Sequence, residues 1–360
     1  MAKLRTYYFE WLRVLQHLRM GWNRLRHPSF RPNGPGRTEF YKTVWRSAAA
    51  ELAAEFEELP NGFCEIRRNG HATRMYENIV KIDDPLIVKL VRVKPFVSKQ
   101  LQAHGIPVPA FREFTLDNIE IAEEFLRETC GPCVVKPTSG ESAGTGVTTN
   151  VRTRRELIRA AVIASLSDRS LMIEQQVEGT SYRLLYLDGE LLDATRRRPP
   201  TVIGNGHSSI RQLIQMENRR RAERKGSASL SRIQIDSDCR ATLQTAGLSL
   251  NSVPESGREV FVKTAVNDNS ANDNISVLDE IGEPLRRELA RATEVLGIRF
   301  AGIDIITNNP SVTLKEGRGA VIEVNSSPGL HHHYNVRNPK PSTQVAIPLL
   351  KRLLNIQEKV

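Results

Sequence analysis

The chain has 360 residues, of which 39% are hydrophobic and 26% charged, with 23 Gly and 19 Pro. That is enough for two or three lobes around a sizeable core, and too apolar for a disordered protein. Four cysteines exclude a disulfide framework, and with no membrane-length apolar run and no cleavable leader the expected compartment is cytoplasmic.

The formal charge of +10 is concentrated at one end. Residues 1–46 hold ten basic and two acidic side chains, leaving residues 47–360 with 41 basic and 39 acidic. Basicity therefore belongs to an arm and not to the body, and no nucleic-acid partner is expected. At about 100° per residue, Leu4, Tyr8, Trp11, Leu15, Leu18 and Trp22 share one helical face, with Arg13 and Arg24 opposite. Such a helix suits docking on the body or on a second copy in a homo-oligomer; peripheral membrane contact through residues 4–24 is the alternative. The segment from His27-Pro28 to Pro35-Gly36 reads as a linker, which sets residues 1–36 apart.

Along the body, residues 40–59 are predicted helical, and Phe63–Arg68 and Ala72–Tyr76 form a hairpin about Asn69-Gly70. A helix over Lys94–His104 ends at Gly105 before Ile106-Pro107-Val108-Pro109. Asp117 with Glu120, and Thr153 with Glu156, each offer a capping box. Between those two helices lie a strand (Cys133–Lys136), a Gly/Ser-rich loop (Pro137–Gly146) and a second strand (Val147–Val151). Further strands are predicted at Leu171–Gln175, Tyr182–Leu187 and Glu190–Thr195, and Arg219–Arg232 reads as an exposed polar stretch. Pro284 opens a helix closed by Gly297; strands near Arg299–Ile306 and Ala320–Val324 and a helix near Ser342–Leu353 follow. The elements show no regular βαβ rhythm, so the fold class expected is α+β, in lobes, rather than one doubly wound sheet.

Two motifs mislead. Cys130-Gly-Pro-Cys133 has the spelling of a redox centre, but it follows a helix and enters a strand, where no helix dipole lowers a thiol pKa. Gly140-Glu-Ser142-Ala-Gly144 matches a hydrolase nucleophile elbow, yet a strand follows it where a helix is required.

The same glycine loop, hung between strands just after Lys136, suits phosphate: glycine lets backbone N–H groups approach oxyanions, and the lysine adds charge. Downstream, Asp304 sits within Ala301–Ile306, and Glu323 and Asn325 within Val321–Asn325. Carboxylates in such apolar runs are costly unless paired or metal-bound. Alternation puts Glu323 and Asn325 on one face, and two carboxylates with an amide oxygen form a hard-oxygen set suited to Mg²⁺. A pair of carboxylates facing water at a sheet edge is the alternative.

In order along the chain, Lys94, Gly105–Pro109, Val134-Val-Lys-Pro137 with its loop, Ile173-Glu174, Gly179, Arg183 and Arg197–Gly206 are followed by Ser249, Val253-Pro254, Val260–Lys263 and Asn267. Gly302-Ile-Asp-Ile305, Ile322-Glu-Val-Asn325 and Pro328-Gly329 complete the series. This pattern, running from Phe63 to Leu330, resembles the ATP-grasp superfamily, and within it the ATP-grasp module of cyanophycin synthetase and of bifunctional glutathione synthetases. The resemblance implies two α+β lobes clamping ATP, divided here as an N-terminal α/β domain (37–105), a small lobe (106–180) and a large lobe carrying the metal site (181–360).

It further implies that Lys94 and Lys136 contact ATP phosphates and that the loop through Ser139, Gly140, Ser142, Gly144 and Gly146 closes over them. Glu174 would meet the adenine amino group, with the Val177 backbone at the ring. Asp304, Glu323 and Asn325 would hold one or two Mg²⁺, with Mn²⁺ as a substitute, and Arg197 and Lys263 would steady the transferring phosphoryl group. The implied activity is ATP-dependent ligation of a small-molecule or peptide carboxylate to an amine through an acyl-phosphate; an ATP-grasp phosphotransferase and a non-catalytic module binding through the basic arm are the alternatives. The chain departs from the pattern at Ser181, where a ribose-binding carboxylate is usual, at Asn205, and at Asn269, Asn272, Asp273 and Asn274. His331-His-His333 is left open as a metal, substrate or surface feature, and no side chain stands out as a base for the amine.

Overall fold

The computed structural model describes residues 14, 35–139, 146–223, 233–264, 266, 274–338 and 344–356. The chain from Pro35 begins with helix α1 (Pro35–Glu51), followed by an antiparallel sheet of β1 (Glu55–Glu58), β2 (Phe63–Arg68), β3 (His71–Tyr76) and β4 (Ile79–Val80) in that order. Asn69 and Gly70 both take positive φ, 50° and 79°, as a two-residue hairpin turn of matching twist requires. The helix expected over 40–59 is in fact two elements. Ala53 turns left-handed (φ 48°), and the acidic run after it pairs as a strand, Glu55 opposite Arg67 and Glu58 opposite Cys64.

Helices α2 (Pro85–Val91) and α3 (Lys94–Ala103) lead to a second antiparallel sheet in the order β5-β8-β6-β7, made of β5 (Phe111–Phe114), β6 (Cys133–Pro137), β7 (Thr148–Val151) and β8 (Leu171–Gln175). Its face bearing Cys133, Val135, Leu171 and Ile173 is covered by α4 (Glu120–Glu128) and α5 (Arg154–Ala164), through Ala122, Phe125, Leu157 and Ala161. By alternation, Lys136 and Glu174 fall on the opposite face.

A third sheet has the order β13-β10-β9-β14-β15, all antiparallel: β9 (Thr180–Leu187), β10 (Glu190–Arg197), β13 (Asn274–Ser276), β14 (Phe300–Thr307) and β15 (Ala320–Ser326). Tyr182, Leu184, Tyr186, Ile303 and Ile305 pack on one side against Val97 and Leu101 of α3 and Leu285, Leu289 and Leu296 of helix α8 (Glu283–Leu296). On the other side, Leu185, Leu187 and Phe300 meet Tyr41 and Trp45 of α1 and Leu349 and Leu350 of helix α10 (Ala346–Leu353). Between β10 and β13 the chain builds a smaller unit. It comprises the ribbon β11 (Thr201–Ile203) with β12 (Glu259–Phe261) and helices α6 (Ile210–Glu223) and α7 (Ser237–Thr245), around Val202, Ile214, Leu243 and Val260. The short helix α9 (His331–Tyr334) follows β15.

Two further expectations change. The Asp117–Glu120 capping box is not made: α4 starts at Glu120 with no side-chain cap, and Asn118 Oδ1 instead accepts from the Thr115 N–H and hydroxyl. The Arg219–Arg232 stretch is not uniformly exposed either, because its first residues complete α6 and Arg221 is buried with its guanidinium on Glu217 at 2.9 Å. Residues 224–232 and the amphipathic arm through residue 34, Val14 excepted, lie outside the described residues, as do Gly140, Ser142 and Gly144.

Candidate functional site

Three strands of the large sheet set charged side chains in a row. Register places Arg183 of β9 opposite Asp304 of β14, and Asp304 opposite Glu323 of β15, so all three project from the same face. The Arg183 guanidinium donates to both Asp304 oxygens, Nε to Oδ1 at 2.8 Å and Nη2 to Oδ2 at 2.6 Å, a bidentate fork. Arg197 of β10 adds a third contact, Nη1 to Oδ1 at 3.5 Å, and its Nη2 donates to the Val266 carbonyl at 3.0 Å. The Asn325 amide lies 3.3 Å from Asp304 Oδ2. Gly302, opposite Asn325, leaves room for the turn after β15: a Cβ there would stand 2.8 Å from Pro328 Cβ.

Burial by itself pushes the Asp304 carboxyl up, but the Arg183 and Arg197 charges outweigh it and hold the group below the ordinary carboxylate range. Burial, with the like charge of Arg183, pulls the Arg197 guanidinium down to about 10, still charged at neutral pH. Its Nε is buried without a hydrogen-bond partner. Half-buried His331 and His332 are held well below the usual histidine range, His331 by burial and the Arg37 charge, His332 by burial and His331, and both stay neutral at pH 7.

The remaining predicted residues occur as pairs. Lys94, at the start of α3, has Nζ 3.2 Å from Glu323 Oε1, and its N–H donates to the Thr138 carbonyl at the stem of the glycine loop, at 3.0 Å. Lys136 and Glu174, both expected at the nucleotide, meet each other at 2.7 Å with side chains 6% and 5% exposed. Such a pair is costly to bury and persists only when each charge offsets the other. Lys263 Nζ reaches Asp236 Oδ2 at 2.7 Å. Val177 lies in the four-residue link between β8 and β9; Gly179 in that link takes φ 138°, and a Cβ there would meet the Thr307 backbone at 2.9 Å. Ser139 donates both its N–H (3.0 Å) and its hydroxyl (2.6 Å) to Asp168, which also accepts from Thr138 Oγ1 at 2.9 Å, so one carboxylate anchors the loop stem. Gly146 closes the loop at φ 81°.

Sequence reasoning gave Arg183 no role and passed over Asp168 and Asp193. The signal for Asp193 was the one used for Asp304: a carboxylate inside an apolar strand, Leu191-Leu192-Asp193-Ala194. Cys130 is exposed, Cys133 is buried in β6, and both thiols are free. Among the described residues no group of three His, Cys, Asp or Glu side chains converges as a metal site. Asp304 and Glu323 are two neighbouring carboxylates, with the Asn325 amide nitrogen donating to Asp304. Their chemistry fits a hard divalent cation, since the sites now balanced by guanidinium and ammonium groups are anionic and clustered.

Over 249 residues, 68% of this chain, the sequence is 33% identical to the cyanophycin synthetase of Trichormus variabilis. The chain belongs to the ATP-grasp superfamily. The glutathione biosynthesis bifunctional protein GshAB of Clostridium perfringens is 27% identical over 269 residues, 73% of this ATP-grasp chain and 34% of its own length. Only 27% of the Trichormus enzyme is covered, and the chain spans about a quarter to two fifths of the curated relatives it matches. The crystal structure of a bifunctional glutathione synthetase from Pasteurella multocida superposes with a TM-score of 0.54 at 23% identity, covering 88% of this chain and 43% of that one, and bears out the two-lobed α+β expectation. No protein-family model matches the chain.

Proposed function

We propose that the protein is an ATP-dependent carboxylate–amine ligase that forms an amide through an acyl-phosphate and releases ADP and phosphate. The observation that carries the reading is the Arg183–Asp304–Glu323 row, joined by Asn325 and Arg197, in a chain related to a cyanophycin synthetase and a glutathione biosynthesis protein. ATP would lie between the face of the second sheet bearing Lys136 and Glu174 and the polar face of the large sheet. The proposed division is residues 1–36 as arm, 37–105 as N-terminal domain, 106–180 as small lobe and 181–360 as large lobe.

Opening the Lys136–Glu174 pair would free an ammonium for phosphate and a carboxylate for the adenine amino group, so nucleotide replaces one ion pair with two contacts. Lys94 would move from Glu323 to a phosphate in the same way. Asp304, Glu323 and the Asn325 amide oxygen would hold Mg²⁺, which when bound neutralises phosphate charge and draws electron density from phosphorus. Arg197 and Lys263 would offset charge on the transferring group, and Arg183 keeps Asp304 ionised and oriented. The loop Ser139–Gly146 would cover the phosphates and keep water from the acyl-phosphate. Small-molecule or peptide acids and amines are the proposed substrates and the cytoplasm the proposed compartment. No helix among the described residues is long and apolar enough to cross a membrane.

The test is a screen of amino acids and short peptides for amine-dependent ADP production, with product mass read directly. A product lighter by one water than acid plus amine is expected. ADP release unaffected by amine, with a phosphorylated product, would replace the ligase reading by a phosphotransferase.

A further inference from the structure

On the face of the large sheet that carries Arg183 and Asp304, β10 presents Asp193, Thr195 and Arg197 at alternate positions. Asp193 is fully buried. Its Oδ2 lies 2.7 Å from Nδ1 of His333 on α9, and its Oδ1 accepts from the Ser276 hydroxyl at 3.3 Å. An ionised carboxylate can only accept, so His333 Nδ1 carries a proton, and in the neutral ring the lone pair is on Nε2. That Nε2 has no hydrogen-bond partner, although His333 has no solvent exposure. A buried acceptor left unpaired costs about 1–3 kcal/mol, which a purely structural histidine has no reason to bear. Arg197 Nε, four residues along the same strand face, is the other orphaned nitrogen of this region.

We propose that His333, oriented by Asp193, accepts through Nε2 the proton released when the amine attacks the acyl-phosphate; the inference rests on the ligase reading above. The amine lone pair forms the C–N bond, and the acyl C–O bond breaks with its electron pair leaving on phosphate. The surplus proton on nitrogen passes to Nε2 and from there to the departing phosphate. Asp193 is a positioning residue: it fixes the ring and the tautomer and offsets the charge that His333 gains. The other charged and titratable groups on this face or helix are Arg183, Arg197, Asp304, Glu323, His331, His332 and Tyr334.

The closing experiment uses the full chain and its His333→Asn and Asp193→Asn variants with ATP, Mg²⁺ and an equimolar mixture of the twenty amino acids, with or without hydroxylamine. Hydroxylamine is a nucleophile already unprotonated at neutral pH, so it traps acyl-phosphate as hydroxamate without help from a base. For His333→Asn, hydroxamate within twofold of the parent is expected, with amide formation at pH 7 reduced by about 100-fold and the deficit shrinking toward pH 9. Equal loss of both products, or loss of neither, overturns the proposal while leaving the ligase reading intact. A parent that forms neither product sinks that reading and the proposal with it. Nitrogen-15 spectra of histidine-labelled parent supply a readout independent of how the variants fold. The His333 signal should show the Nδ1–H tautomer, changed in Asp193→Asn together with loss of amide, and a proton on Nε2 in the parent overturns the assignment.

Discussion

Asp304 is held by two arginines and Glu323 by one lysine, and the difference in burial separates what their removal should do. The Asp304 side chain is 13% exposed and sits in a bidentate fork, whereas Glu323 is 36% exposed and touches Lys94 at 3.2 Å. Replacing Asp304 by Asn leaves Arg183 buried with its charge uncompensated, and a loss of about 3–5 kcal/mol in urea unfolding is expected. Because the folded carboxyl is held below its ordinary value of 3.8, the stabilisation is fully present above that pH and fades as pH falls through the lower folded value. The gap between parent and Asp304→Asn should therefore be constant from pH 5 to 7 and close in acid; a gap unchanged down to pH 2 would contradict the ion-pair account. Glu323→Gln, by contrast, gives up a half-exposed pair worth about 1 kcal/mol or less. It should leave the melting temperature within a few degrees of the parent while Mg-ATP turnover disappears, and undiminished turnover would remove Glu323 from the metal set. The two acidic positions were legible in the sequence because each interrupts an apolar strand. Their partners were not: Arg183 lies 121 residues from Asp304, and strand register alone brings them together.

Helix boundaries written into local side chains were read correctly, and those set by distant pairing were not. The Thr153–Glu156 box is reciprocal, with the Glu156 N–H donating to Thr153 Oγ1 at 3.3 Å and Glu156 Oε2 accepting from the Thr153 N–H at 3.0 Å. At Asp117 the same spacing yields no cap, because Asn118 uses its side chain on Thr115 and the helix begins two residues later, at Glu120. Thr153→Ala should thus cost about 1 kcal/mol of stability, and Asp117→Ala should fall within about 0.5 kcal/mol of the parent. Denaturant midpoints at matched slope compare them, and equal losses would mean that sequence spacing and not geometry sets the cap. The strand Glu55–Glu58 was misread as helix for a related reason. Glu57 and Glu58 are satisfied by Arg67, Lys42 and Arg46, partners that local periodicity does not reveal.

At the scale of the molecule, the arm and the N-terminal sheet answer differently to deletion. The helix that begins at Pro35 packs on the large sheet. Tyr41 and Trp45 are fully buried against Leu185, Leu187 and Phe300, the Trp45 indole donates to the Glu77 carbonyl at 2.8 Å, and Asp83 accepts from the Arg299 N–H at 2.6 Å. Removing residues 1–80 would bare that side of the large sheet, where each large apolar side chain contributes about 1.5–3 kcal/mol, and the remainder should show no cooperative unfolding. A cut before Pro35 removes the basic, aromatic-lined arm and touches none of those contacts. The protein lacking residues 1–34 should keep ADP production within about twofold and melt within a few degrees of the parent, since the contacts of Tyr41, Trp45 and Asp83 all remain. Sedimentation with anionic phosphatidylserine vesicles, and the oligomeric state by light scattering, then assign the arm's partner. Vesicle binding lost on truncation selects the membrane and a fall in mass selects self-association. Loss of ADP production by the shortened chain would instead make the arm part of the catalytic unit, against the division proposed here.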